Sequence, residues 1–305
     1  MTWVAFALLG PFIFTIVNYI DRVVVERYIR DPLAMPVYVA IASLIAGLIL
    51  WVLNGFPILA TNDFLIIMLA GISNAVAASF YFRAIVMDDT SKVVILMQMS
   101  PVAVLILSFI VLDYQILPIQ FVGFLLVLGA ALALSVTTGA ATIGQRIQLS
   151  RALWFVLGLV LFSAISNVLF KFVVDGSSFG RIVPYESFGM AFGGLLIYIF
   201  VPTIRQAFNN NLRSIPRSAL VAVSASETVY IIAKLTVLTA ISLGPVALVS
   251  VLSGTQVFYA ILLGWLLTKL LPRLYNENIA RGHILRKIFW ALVLFVGVGL
   301  IYLTA

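Results

Sequence analysis

The chain has 305 residues, of which 63% are hydrophobic and 10% charged, and its mean hydropathy of +1.18 excludes an ordinary soluble domain. The formal net charge of +7 does not indicate nucleic-acid binding, because the Lys and Arg residues fall in short segments between apolar runs. The lack of cysteine excludes disulfides, thiol chemistry and cysteine metal sites. From the hydropathy we predict an all-α integral membrane protein.

Ten apolar runs follow one another along the chain, each near the length of about 20 residues that crosses a hydrocarbon core of about 30 Å. They lack the alternation of a membrane β-barrel, so we predict ten transmembrane helices. Their predicted bounds are 2–24, 34–53, 64–86, 92–112, 116–136, 152–174, 182–202, 218–241, 245–268 and 286–304.

A motif of Asn, a cation and an acidic residue, each four positions apart, closes the first run and recurs at the end of the sixth. The two copies are Asn18, Arg22 and Glu26, and Asn167, Lys171 and Asp175. Because each half holds an odd number of spans, homologous halves must enter the membrane in opposite directions. We therefore predict two inverted five-helix repeats, 1–140 and 150–305, joined by a linker at 141–149.

An ordered set of residues runs from the end of the third span into the fifth. It consists of Tyr81, Ala84, Ser91, the mid-span Pro101, Asp113, Gln120 and Gly123. This set resembles the EamA-like members of the drug/metabolite transporter superfamily. The second half departs from the pattern, with Gln256 in place of the proline and Thr268 in place of the acidic residue. The resemblance implies a ten-helix carrier of small metabolites that works by alternating access.

The eighth span carries ionisable side chains near mid-membrane, where a charge is expensive without a partner or a water-filled cavity. Glu227, Tyr230 and Lys234 share one helical face. We interpret them as part of a cavity in which Glu227 binds a proton or a cationic group and Lys234 binds an anionic group. The alternative is a structural ion pair.

Further polar side chains in the spans are candidates for substrate binding or coupling. They are Asn18, Asn74, Tyr81, Gln98, Asn167, Ser253 and Gln256, and Pro101 is the candidate for a kink. Their alternative role is hydrogen bonding between helices. Arg22 and Lys171 lie near span ends, so they are either gate or entrance residues or anchors that reach the headgroups.

These observations favour a secondary-active transporter, an exporter or exchanger of a small polar or amphipathic metabolite. The alternatives are a flippase for a lipid-linked anionic headgroup and, less favoured, a non-transporting membrane enzyme. We expect no catalysis, because the single histidine, His283, lies in a basic loop and provides neither a Ser-His pair nor a metal cluster.

We expect no cofactor or metal, although transport would be coupled to a proton or another ion. The expected partners are a small-molecule substrate and membrane lipid, with no nucleic acid, in a monomer or homodimer. The expected location is the cell (inner) membrane, as a multi-pass protein.

Two arguments about orientation conflict. The segments that follow odd-numbered spans, counted with the adjoining span ends that hold residues such as Arg22 and Arg83, contain 15 of the 18 Lys and Arg residues. The positive-inside rule therefore puts both termini outside the cytoplasm. The family resemblance implies both termini inside. We favour the charge distribution because it is a property of this sequence.

Overall fold

The computed structural model describes residues 2–29, 31–100, 102–104, 106–107, 117–135, 151–174, 176–243, 249, 252–275 and 280–302. These ranges hold eleven α-helices and no strand. In chain order they are α1 (Thr2–Val23), α2 (Met35–Leu53), α3 (Thr61–Ile85), α4 (Thr90–Met97), α5 (Pro118–Ser135), α6 (Arg151–Val174), α7 (Phe179–Phe200), α8 (Pro202–Ser214), α9 (Arg217–Leu243), α10 (Gln256–Leu270) and α11 (Arg281–Tyr302). A π-helical turn, Val24–Tyr28, extends α1, and a 3-10 turn, Pro32–Ala34, precedes α2.

The described helices make this a multi-pass membrane protein. Seven of them, α1, α2, α3, α6, α7, α9 and α11, are long and apolar enough to cross a bilayer. Within the described residues, α4, α5 and α10 are apolar but shorter. Each of the ten predicted runs overlaps a described helix, but a count of ten membrane crossings stays a prediction.

Helix α8 lies between the seventh and eighth predicted runs, a segment for which the sequence predicts no span. Pro202 occupies the start of this helix, a position that needs no backbone N–H donor. Ile204, Ala207 and Phe208 form a buried apolar face, while Arg205 and Arg213 are exposed. With 13 residues, α8 is too short to cross the hydrocarbon core of a bilayer.

The two halves of the chain interlock through pairs of helices. The most extensive contacts join α1 to α9, α3 to α6 and α7, α2 to α7, and α5 to α11. The closest backbone approach lies where α3 crosses α7. There a Cβ added to Gly189 would lie 2.4 Å from the carbonyl oxygen of Met68, so only glycine fits.

Glycines differ in what they contribute to this packing. The sequence predicts close packing at six glycines: Gly123, Gly129, Gly193, Gly194, Gly297 and Gly299. Of these, Gly193, Gly194 and Gly297 each lie against a neighbouring helix. Gly129 was expected to behave in the same way, but a Cβ there would meet nothing within 4 Å. The expectation for Gly129 is wrong because this face of α5 is exposed.

The buried side chains form three apolar clusters. One joins the end of α3 to α4, α5, α6, α10 and α11. A second joins the π-helical turn after α1 to α2, α3, α7, α8 and α9, and a third joins α1, α3, α6, α7 and α9. Each cluster contributes side chains to one cavity: Met97 from the first, Phe82 from the second and Phe170 from the third. The cavity is therefore built into the packing of the whole helical assembly.

Candidate functional site

A cavity of about 260 Å³ lies between helices of the two halves. Its walls come from α1, α2, α3 and α4 in the first half and from α6, α7, α9 and α10 in the second. The structure brings eight of the ten side chains predicted for binding or coupling to this cavity: Asn18, Asn74, Tyr81, Asn167, Glu227, Tyr230, Lys234 and Gln256.

Lys234 on α9 forms an ion pair across the cavity wall with Glu186 on α7. The other oxygen of this carboxylate, Oε1, accepts a hydrogen bond of 3.2 Å from the side-chain amide of Asn74 on α3. Glu186 and Lys234 are 2% and 9% exposed, so their charges compensate one another away from bulk water. The position at which we expected an anionic group of the substrate is occupied by a carboxylate of the protein.

Asp21 on α1 is the centre of a second polar group. The Tyr81 hydroxyl lies 3.0 Å from its Oδ2 and 2.9 Å from Oδ1 of Asn18, and it donates toward both. The Ser226 hydroxyl on α9 donates to the other carboxylate oxygen, Oδ1. Asp21 is only 4% exposed, and its described hydrogen-bond partners are all uncharged.

Glu227 follows Ser226 on α9 and is also 4% exposed. It is close enough to Asp21 for the two carboxylates to repel each other. Among the described residues, neither Asp21 nor Glu227 has a basic side chain within ion-pair distance. Among the described residues that line the cavity, the titratable groups are three carboxylates, one ammonium group and the two hydroxyls of Tyr81 and Tyr230.

The remaining predicted binding residues lie elsewhere. Gln98 is buried in the turn that follows α4 but does not line the cavity. The hydroxyl of Ser253 donates to the carbonyl oxygen of Val249 at 2.9 Å, a local helical bond away from the cavity wall. Pro101, the predicted kink, lies outside the described residues.

The two predicted gate residues lie at helix ends and do not line the cavity. Arg22 pairs with Glu26 through its Nε at 2.9 Å and donates from Nη1 to the backbone carbonyl of Asp88. Lys171 lies in the last turn of α6. Arg22 therefore ties the end of α1 to the segment between α3 and α4.

Sequence reasoning missed Asp21 and Glu186. Both carboxylates fall inside predicted spans, 2–24 and 182–202, and an acidic residue within an apolar run is itself a signal of function. Asp21 lies within the Asn18 and Arg22 motif, whose repetition is the stronger sequence pattern. Glu186 lies near the start of its run, where a charge is also compatible with a span end.

The described residues contain no group of three or more side chains that could hold a metal ion. The acidic pair in the segment before α4 is held by lysines instead: Asp88 pairs with Lys92 at 2.7 Å and Asp89 with Lys287 at 2.9 Å. Lys287 also donates to Ser91 at 2.8 Å, which joins the start of α11 to the start of α4. These ion pairs and hydrogen bonds therefore link the first half of the chain to the second.

Comparison with known proteins gives a family and a fold. Residues 1–136 match the EamA-like transporter family. None of the curated proteins compared with the chain matches it, whereas 22 chains of solved structures do. One of these crystal structures aligns with 98% of this chain and 97% of its own, with a TM-score of 0.60 and 14% identity. At that identity the likeness is one of fold.

Proposed function

We propose a transport mechanism for this chain, whose first 136 residues match the EamA-like transporter family of the drug/metabolite transporter superfamily. The protein is a secondary-active exporter or exchanger that carries a small polar or amphipathic metabolite across the cell's inner membrane by alternating access. The observation that carries this proposal is the cavity between the two halves, whose polar side chains come from both. A substrate site between repeats is the arrangement expected of such carriers.

Ten membrane helices in two inverted repeats are part of the proposal, and the helix contacts support them. Inverted repeats would be related by a two-fold axis that exchanges five pairs of helices: α1 with α6, α2 with α7, α3 with α9, α4 with α10 and α5 with α11. Under this exchange the α1–α9 contact becomes the α6–α3 contact. Both contacts are present, as are α1–α10 and its counterpart α6–α4. The pairs α2–α7, α4–α10 and α5–α11, which such an axis maps onto themselves, also pack together.

The charge of the cavity favours a metabolite carrier over a flippase for an anionic headgroup. Three carboxylates face one ammonium group there, and that ammonium group is already paired with Glu186. An anionic headgroup would meet net repulsion in this cavity. In the proposed mechanism Glu227 couples transport to a proton or another ion, because its carboxylate faces the cavity without a basic partner among the described residues.

The experiment that tests this function uses proteoliposomes that contain a pH-sensitive dye. Amines, amino acids, carboxylates and nucleosides are added outside one at a time, and internal pH and solute uptake are recorded. We expect at least one class to enter with wild-type protein and to move protons. The Glu227→Gln variant, with the fold verified by size exclusion, should lose most of this coupled flux.

Two outcomes would contradict the proposal. If no solute of any class crossed with wild-type protein, the transporter function itself would fail. If Glu227→Gln supported the same flux with the same dependence on pH, Glu227 would have no part in coupling.

A further inference from the structure

We infer that the cavity binds an organic cation: an amine that carries an apolar or aromatic body and an uncharged hydrogen-bond acceptor. This inference rests on the proposed transporter function and names the class of its cargo. It follows from three features of the cavity wall, namely its charge balance, one unsatisfied donor and its aromatic side chains.

The charge balance excludes Lys234 as the receptor of an anion. Its ammonium group is in contact with the Glu186 carboxylate, and Asn74 fixes the other oxygen of that carboxylate. Freeing Lys234 for an anionic substrate would leave the Glu186 carboxylate buried and unpaired, which is strongly unfavourable. The Glu186–Lys234 pair is therefore neutral overall and does not offer its ammonium group to an anionic ligand.

The remaining carboxylates, Asp21 and Glu227, give the cavity its charge. The described partners of Asp21 are hydroxyl groups, which solvate a carboxylate without neutralising it. Glu227 on α9 also lines the cavity and is a second acid, which repels the Asp21 carboxylate. Two nearby buried carboxylates without a counter-cation favour a ligand that brings one positive charge.

The unsatisfied donor belongs to Asn18. This side chain is 4% exposed and lines the cavity, and its Nδ2 has no acceptor in the described part of the chain. Its Oδ1 is already engaged by Tyr81, which leaves only the N–H donors free. A buried donor without an acceptor is costly, so the ligand should supply an oxygen beside its amine.

The third feature is aromatic. Phe14, Tyr81, Phe82, Phe170 and Tyr230 all line the cavity, and Phe14 and Tyr230 meet edge to face with ring centroids 5.9 Å apart. Aromatic faces attract cations and pack on apolar bodies. A bare metal ion fits less well, because the described residues contain no group of ligands that could hold one.

Three matched probes test the inference by isothermal titration with full-length protein in detergent. They are 2-phenoxyethylamine (a cation), 2-phenoxyethanol (neutral) and phenoxyacetate (an anion), which share a ring and an ether oxygen. We expect the amine to bind about tenfold or more tightly than the other two, the equivalent of one charge-assisted hydrogen bond. Equal or tighter binding of phenoxyacetate, or no binding of the amine up to its solubility limit, would overturn the inference.

Variants separate the carboxylates from the ion pair. Asp21→Asn should weaken amine binding by about tenfold to a hundredfold and leave 2-phenoxyethanol unaffected. The matched control is the double variant Glu186→Gln with Lys234→Met, which removes the pair without changing net charge and should keep the preference for the amine. Glu186→Gln alone releases Lys234 and should allow phenoxyacetate to bind. Loss of the preference in the double variant, with Asp21→Asn unaffected, would overturn the inference.

Size exclusion of each variant verifies folding. If Asp21→Asn does not fold, Glu227→Gln removes the other unpaired carboxylate and serves as the alternative variant. Loss of amine preference in either folded variant supports the inference, and its retention in both counts against it. Because binding is measured without a membrane, a protein that binds the amine but moves no solute would refute transport and leave the inference intact. A protein that transports only anions would refute the inference about an organic cation and leave the transport function intact.

Discussion

The Lys234 ammonium group and the Glu186 carboxylate join α9 to α7 in a part of the protein with little access to water. Each charge alone would be expensive in that environment, and each is stabilised by the other and by Asn74. The pair therefore contributes to the position of the two helices as well as to the charge of the cavity. Removing one member should cost more than removing both.

Lys234→Met should destabilise the protein by about 3–5 kcal/mol, because it leaves the Glu186 carboxylate buried without its counter-charge. The loss is measured as a lower melting temperature of the purified protein in detergent. The double variant Glu186→Gln with Lys234→Met should lie closer to wild type. If the double variant lost the sum of the two single losses, the two side chains would not be energetically coupled.

Glycines fix the position of α3 relative to α7 where the two helices cross. Gly189 lies against the backbone of Met68, and Gly71 lies equally close to the backbone of α7. Glycine allows this approach because it has no Cβ, and close approach is a main source of helix association in lipid. Glu186 lies one turn before Gly189 on the same helix, so this crossing also positions the partner of Lys234.

Gly189→Ala should destabilise the protein by about 1–3 kcal/mol, the usual cost of overpacking, because the new Cβ would meet backbone that cannot rotate away. The measurement is again the melting temperature in detergent. Gly129→Ala is the matched control, since it adds the same atom to an open helical face and should leave stability unchanged or raise it by up to about 1 kcal/mol. Equal effects of the two substitutions would show that the α3–α7 approach does not limit the packing.

The whole molecule carries its Lys and Arg residues mainly at one side of the predicted bundle. The positive-inside rule places that side in the cytoplasm and both termini outside. Thr61, at the start of α3, and Ala280, just before α11, are both exposed and lie at opposite ends of the predicted arrangement.

Single cysteines at these positions test the orientation in a chain that has no others. In intact cells, a maleimide that does not cross membranes should label the Thr61→Cys variant and not the Ala280→Cys variant. Both should be labelled after permeabilisation, which controls for accessibility. Labelling of the Ala280→Cys variant alone in intact cells would place both termini inside.

The sequence predicted the class of protein, the family resemblance and most of the polar side chains that line the cavity. Apolar runs of the length of a bilayer could be read directly, because hydrocarbon thickness sets the length of a span. The EamA-like resemblance is confirmed by the family match over residues 1–136. Glu227, Tyr230 and Lys234 were placed on one face by helical spacing alone, and all three line the cavity.

Only the tertiary structure decided which charges meet. Periodicity assigns a side chain to a face of its own helix but does not say which helix lies opposite, so Glu186 could not be identified as the partner of Lys234. In lipid that choice depends on close packing at small residues such as Gly189, because hydrophobicity does not distinguish one helix face from another. The sequence determined the spans and their polar side chains, whereas the helix crossings left Asp21 and Glu227 as the unpaired charges of the described cavity.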